Sequence, residues 1–213
     1  MAAAIDDELI AVLERSRRLG FLGPGSVRVQ VEHAQGFAGG VPAEPERFLD
    51  LGAGGGVPGL VLLTTAWPTA RAVLLDAGER RCDFLREAVA ALGLEDRAEV
   101  VRARAEEAAR DPDLRGSMDV VVARSFGPPP VTAECGAPFL RVGGRLVVSE
   151  PPVDRCEGSG GDDRWPPDGL RRVGLVAERA WTSPYHYRSF VLAEPCPEVY
   201  PRRVGIPAKR PLF

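Results

Sequence analysis

FLDLGAGGGVPG, residues Phe48 to Gly59, decides the fold. An apolar lead ends in Asp50, followed by Gly52, Gly54, Gly55 and Gly56, then Val57-Pro58-Gly59 and the apolar run Leu60–Leu63. The pattern predicts a short buried strand, a tight glycine turn and a helix with Pro58 in its first turn, where a missing N–H costs nothing. Glycines there allow positive φ and let the backbone approach a ligand closely. Strand, glycine turn and helix N-terminus form a nucleotide-type cofactor site at the end of a parallel sheet.

Downstream the period is βαβα. The turn helix should run to Ala66 and break at Trp67-Pro68, and Ala72–Asp76 is a second buried strand ending in an acid. Arg80–Leu92 is helical, with Phe84, Leu85, Ala88, Val89 and Leu92 on one face. Ala98–Val101 is a third strand, Arg104–Arg110 a short helix or turn, and Asp119–Ala123 a fourth strand whose apolar run suits a sheet covered on both faces. A helix near Val131–Leu140 leads through the turn Gly143-Gly144 into a fifth strand, Arg145–Ser149. Such alternation predicts a doubly wound, mostly parallel α/β sheet of Rossmann-like type, with helices on both faces. Residues 150–168, rich in Pro, Gly and Asp, should form a mobile loop, and Arg172–Glu178 and Ser189–Ala193 two late strands.

Upstream, Ile5, Leu9, Val12 and Leu13 mark one face of a helix stopped at Gly20. Residues 20–47 read as loop with a β-leaning piece, Val27–Val31. The expected divisions are an N-terminal helical extension over 1–47, the cofactor domain over 48–200 and a basic tail, extended over the body, from 201 to 213.

The chain has 213 residues, 45% of them hydrophobic, which is ample for one core. A net charge of -3 excludes a polybasic nucleic-acid binder, so such a role needs a local basic patch. No apolar run spans a membrane and the N-terminus carries no basic leader, so a cytoplasmic protein is expected. Cys82, Cys135, Cys156 and Cys196 show no CxxC spacing and there are two histidines, His33 and His186, so no metal site is expected.

Asp76 follows Gly56 by 20 residues, where doubly wound folds place an acid on ribose hydroxyls. Asp50 stands where dinucleotide folds carry an apolar residue, and an acid there can hold the ammonium end of S-adenosylmethionine, directly or through water. The GxGxG spacing and the short chain favour that cofactor over a nicotinamide.

The stretches FLDLGAGGGVPGL, LLDAGERRCDFLREAVAALGL, RARAEE and DVVVARSFGPP, with the tail YPRRVGIPAKRPL, resemble successive motifs of the bacterial small-subunit ribosomal RNA guanine-N7 methyltransferases, the glucose-inhibited division protein B family. The resemblance implies a class I methyltransferase fold, S-adenosylmethionine as cofactor and ribosomal RNA or the small ribosomal subunit as partner, the protein acting as a monomer. It places Gly52, Gly54 and Gly56 at the methionine end with Ala53, Asp76 on the ribose with Ala77 beside it, and Ala105 and Glu106 beside adenine. Arg104 and Arg124 match arginines at the cofactor and substrate mouth, Arg124 at the reaction centre. Arg202, Arg203, Lys209 and Arg210 would bind RNA, with Arg171 and Arg172 extending the basic surface.

The chain departs from that family in two places. The N-terminal segment lacks its Trp-Asn-Lys type motif, and Ser149-Glu150-Pro151 stands where members carry Leu-Lys-Gly. An acid there reverses charge where a phosphate-bearing substrate arrives. The alternatives are therefore a relative methylating a small molecule or protein, with Glu150, Trp165 and Tyr185 closing a compact pocket, a cofactor-binding module with a decayed substrate site, or a nicotinamide dehydrogenase. Guanine N7 has no proton to lose, so no general base is needed; a hydroxyl or amine acceptor would look to His186. Tyr185, Tyr187 and Trp165 are candidates either for stacking on a planar acceptor or for packing.

Overall fold

The computed structural model describes residues 7–151 and 164–213. Ile5, Cys156 and most of the loop expected over 150–168 lie outside the described residues.

Seven strands form one sheet in the order β3-β2-β1-β4-β5-β7-β6. They are β1 (Arg47–Leu51), β2 (Arg71–Asp76), β3 (Ala98–Arg102), β4 (Met118–Ala123), β5 (Leu140–Glu150), β6 (Leu175–Thr182) and β7 (His186–Leu192). The first five pair in parallel, while β7 runs antiparallel between β5 and β6. The chain order reverses between β1 and β4. Doubly wound sheets bind ligands at this switch point, beyond the carboxyl ends of the strands.

The helices are α1 (Asp7–Arg18), α2 (Val27–Gln35), α3 (Gly59–Val61), α4 (Glu79–Ala91), α5 (Ala105–Ala108), α6 (Pro129–Gly136), α7 (Pro167–Arg171) and α8 (Ile206–Lys209). Alternation along β1 explains the layering. Leu49 and Leu51 enter a core with α5, α6 and the tail residues Tyr200 and Leu212. Phe48 enters the opposite core with Leu60, Trp67, Phe84 and Leu85. Both faces of the sheet are covered, as its apolar strands require.

Three expectations need correction. Val27–Val31 is helical, not β-leaning: Ser26 Oγ caps the Val29 N–H at 3.3 Å. Val27, Val31 and Ala34 then bury one face against α1 and Val61, so helix packing overrides the weak preference of valine. The helix after the glycine turn widens into a π segment over Leu62–Ala66. Gly143-Gly144 does not close a turn before β5 but lies within it, at a register shift between Met118 and Val120 of β4.

The tail does lie over the body. The Arg115 guanidinium donates to the Tyr200 carbonyl at 2.9 Å and the Arg172 guanidinium to the Leu212 carbonyl at 2.8 Å. Its middle is not extended, since it contains α8.

Candidate active site

The glycine turn is held from below and above. The Gly52 and Ala53 N–H groups both donate to the Leu75 carbonyl at 2.9 Å, tying the turn to β2. Gly52, Gly54 and Gly56 have φ of 76°, 53° and 89°, which side-chain-bearing residues rarely adopt. A Cβ on Gly52 would also sit 2.8 Å from Phe126. From α1, buried Ser16 donates through Oγ to the Gly55 carbonyl at 2.9 Å.

A cleft of about 540 Å³ opens beyond the strand ends. Gly52, Ala53, Gly54, Asp76, Ala77, Arg104, Ala105, Glu106 and Arg124 all border it. Asp76, at the end of β2, accepts from the Gly54 N–H at 3.0 Å, the Gly78 N–H at 2.7 Å and Arg81 Nε at 2.9 Å. Opposite, Glu106 accepts from Arg104 at 3.2 Å and from the Gly205 N–H at 3.0 Å, so the C-terminal tail builds part of this wall. Burial acts to raise the Glu106 carboxyl, but the bonds from Gly205, its own N–H and Arg104 prevail and hold it below its ordinary range.

Asp50 and Gly56 do not border the cleft. Asp50 is buried behind the turn, where Oδ2 accepts the Gly59 N–H at 2.7 Å. Burial pushes its carboxyl up to about 7 and Asp76 adds to the rise, against the Gly59 N–H and Arg124. Arg124 follows β4 into the cleft and donates to Gln30 Oε1 of α2. Burial lowers its guanidinium and Asp50 acts the other way.

Ser125 and Phe126 border both this cleft and a second cavity of about 350 Å³. Ser125 adopts φ 55°, an uncommon conformation that turns the chain at the junction. The second cavity is bordered by His33, Thr132, Ser149, Glu150, Arg164 and Trp165. Burial lowers His33 to about 4 and Arg124 contributes, so the ring is neutral near pH 7. Among the described residues, three buried side-chain atoms have no hydrogen-bond partner: His33 Nε2, Asp50 Oδ1 and Glu106 Oε2. All three belong to residues at or directly behind the two spaces.

Those two carboxylate acceptors and the backbone cradle fit S-adenosylmethionine, whose ammonium and adenine amino group are donors. A sheet of this order with a glycine turn and strand-end acids defines a class I S-adenosylmethionine-dependent methyltransferase. Solved structures share the fold. Similar chains include the O-methyltransferase from Bacillus cereus in complex with SAH, with TM-score 0.60, 18% identity and coverage of 89% of this chain and 92% of that one. Another is the O-methyltransferase TomG from Streptomyces achromogenes in complex with SAM, with TM-score 0.63, 17% identity and coverage of 90% and 92%.

The chain belongs to the GidB family, rRNA small subunit methyltransferase G, whose model matches residues 37–159. It is 35% identical over 213 aligned positions to the Ribosomal RNA small subunit methyltransferase G of Rubrobacter xylanophilus, covering 96% of this chain and 80% of that protein. The protein of the same name from Moorella thermoacetica is 34% identical over 173 residues, covering 78% and 69%.

The structure gives several expected site residues other work. Arg202 is taken up by Glu134, which is fully buried: its N–H, Nε and Nη2 donate to that carboxylate at 2.9, 2.8 and 2.6 Å. It anchors the tail and is not a free cation for RNA. Arg171 pairs with Asp168, and Arg172 holds the tail's end. Arg203, Lys209 and Arg210 are exposed, flanking Gly205 on the Glu106 side of the cleft. Tyr187 packs: it is buried, stacks on Trp181 at 5.3 Å and donates to the His33 carbonyl at 2.7 Å. His186 borders neither space, its Nδ1 lying 3.1 Å from Thr182 Oγ1. Trp165 is buried against Phe190 and donates through Nε1 to Glu150 at 2.8 Å.

Ser16, Phe21, Leu22, Gln30 and His33 were not legible as site residues. They come from the N-terminal segment, which reaches the site through tertiary contacts: Phe21 and Leu22 border the cleft, His33 borders the second cavity, and Ser16 and Gln30 hydrogen-bond to Gly55 and Arg124.

Proposed function

We propose that the chain methylates N7 of a guanine in small-subunit ribosomal RNA. Bound S-adenosylmethionine supplies an electrophilic methyl group on its sulfonium. The observation that carries the reading is that the cofactor cleft shares Ser125 and Phe126 with a second cavity of about 350 Å³, room enough for a purine, in a chain of this family.

Gly52, Ala53 and Gly54 hold the methionine end, while Asp50 and Gly56 shape the turn from behind it. Asp76 and Ala77 take the ribose; Arg104, Ala105 and Glu106 take the adenine. Arg124, fixed by Gln30, sets the junction where the acceptor meets the methyl group. The protein's contribution is alignment for an in-line displacement. Guanine N7 attacks with a lone pair and releases no proton, which suits a site where the bordering His33 is a weak base. Exposed Arg203, Lys209 and Arg210 contact phosphates of the ribosomal RNA or small subunit, while Phe21, Leu22, Gly23 and His33 of the 1–47 extension complete both spaces on the 48–200 domain. The protein works as a monomer in the cytoplasm.

Transfer of tritiated methyl to ribosomal RNA from a strain lacking this gene tests the reading. Label at a single guanine of the small-subunit RNA, cleavable by aniline after borohydride reduction, is the expected result. Label confined to a small-molecule extract would redirect the acceptor site to a metabolite, the second reading, which the compact cavity of Glu150 and Trp165 favours.

A further inference from the structure

The second cavity has an ordered polar edge. Glu150, at the end of β5, accepts Trp165 Nε1 at 2.8 Å through Oε1 and the Arg164 guanidinium through Oε2. The pair is largely shielded, with 13% of the Glu150 side chain and 26% of the Arg164 side chain exposed. Each carboxylate oxygen has a lone pair beyond the bond it already accepts, and Arg164 keeps further N–H donors. Glu150 and Arg164 border only the second cavity, whereas Ser125 and Phe126 border it and the cofactor cleft. A donor group thus stands beside a two-oxygen acceptor, the acceptor tied to buried Trp165 and the donor tied to the acceptor.

Resting on the guanine reading above, we propose that Glu150 and Arg164 are the specificity-determining pair that reads the target base as guanine. Guanine presents, in sequence along one edge, the O6 acceptor and the N1–H and N2–H donors. Arg164 beside Glu150 offers the matching series of donor and acceptors. Adenine presents an amino donor where guanine has O6 and an acceptor at N1, so every group would face its own kind. A base read in this way keeps N7 on a different edge, free to face the junction at Ser125 and Phe126. Phe126, Val148 and Pro129 supply apolar walls for the ring. The acid at the end of β5 is then a base reader, and its partner arginine offsets its charge toward an RNA substrate.

Such a pair discriminates strongly, because a site built to bond a donor leaves buried acceptors unpaired when the donor is missing. The test uses an RNA fragment carrying the position methylated by the wild-type protein, prepared with guanosine, inosine or adenosine there. Inosine keeps O6 and N1–H and lacks only the 2-amino group. Wild type should lose about tenfold in kcat/KM on inosine, the value of one charged hydrogen bond, and much more on adenosine. Glu150→Gln should lose at least about tenfold on guanosine and show a guanosine-to-inosine ratio near one, with cofactor affinity by equilibrium dialysis unchanged. Equal losses on guanosine and inosine in Glu150→Gln would overturn the proposal, as would wild-type rates in that variant. In both cases methylation of guanine by the wild type leaves the function standing; absence of label in any RNA overturns both together.

Discussion

The cleft at the strand ends and the second cavity beside it are built in opposite ways. The first is mostly local: Asp50, the glycines, Asp76 and the Arg104–Glu106 turn lie at successive strand ends, backbone N–H groups make most of its bonds, and only Ser16, Phe21, Leu22 and Gly205 brace it from afar. The second is assembled from remote pieces. His33 of α2, Ser125 after β4, Glu150 of β5 and Arg164 meet there, with Tyr187 of β7 holding the His33 carbonyl. A site made of backbone at strand ends persists wherever the sheet persists. A site made of side chains from separate elements can change one residue at a time, which is how Glu150 arises without disturbing the cofactor half.

The comparison breaks most visibly at the tail. Arg202→Ala strands the buried Glu134 carboxylate and should cost about 3–5 kcal/mol of stability in urea unfolding. Arg203→Ala, one residue on and exposed, should stay within about 0.5 kcal/mol. Equal effects would mean that the tail is not anchored as described.

Next is Asp76→Ala, which removes the acceptor for Gly54, Gly78 and Arg81. Cofactor affinity should fall about 100-fold by calorimetry, the worth of one or two charge-assisted bonds at about 1.5–3 kcal/mol each, and the melting temperature should fall too, because Gly54, Gly78 and Arg81 lose their acceptor. An unchanged affinity would remove Asp76 from the cofactor wall.

The pH dependence sharpens the contrast. Asp50 titrates near 7 in the fold against an ordinary 3.8, so its contribution to stability is present at low pH and lost as pH rises from about 4 to about 7. His33 titrates near 4 against 6.5, so its contribution is present above 6.5 and lost as pH falls toward 4. The two oppose each other between about 4 and 6.5. Asp50→Asn should unmask a stability that rises with pH across that window in melting curves. Cofactor binding to the wild type should tighten by up to about tenfold from pH 6 to pH 8 as Asp50 ionises behind the glycine turn and acts on the bound ammonium across it, and in Asp50→Asn it should be flat.

The smallest expected effect is on RNA. Replacing Arg203, Lys209 and Arg210 together by alanine should weaken RNA binding several-fold and reduce the salt slope by about two, leaving cofactor affinity unchanged. A loss that varies with the target base instead of the salt would assign those residues to base reading.

The five parallel strands and the placement of Gly52, Asp76 and the Arg104–Glu106 turn at their carboxyl ends were legible because each depends on near neighbours: an apolar run, a glycine turn, an acid at a strand end. Reading failed where distant packing decides. The valines of α2 favour strand in isolation but pair with α1 and Val61. Arg202 reads as a free surface cation until Glu134, distant in sequence, is placed beneath it. Gly143-Gly144 resembles a turn, yet lies within β5, because a Cβ on Gly144 would sit 2.9 Å from the Met118 and Asp119 carbonyls.

The sequence by itself determined the cofactor cradle, since positive φ at three glycines and acids at strand ends are requirements of the local backbone. Only the tertiary structure decided what faces that cradle. The junction at Ser125 and Phe126, the neutral His33 and the Glu150–Arg164 edge exist because α2, β4, β5 and the segment after residue 163 converge. Burial and partnership, not residue type, then set what each of those side chains can do.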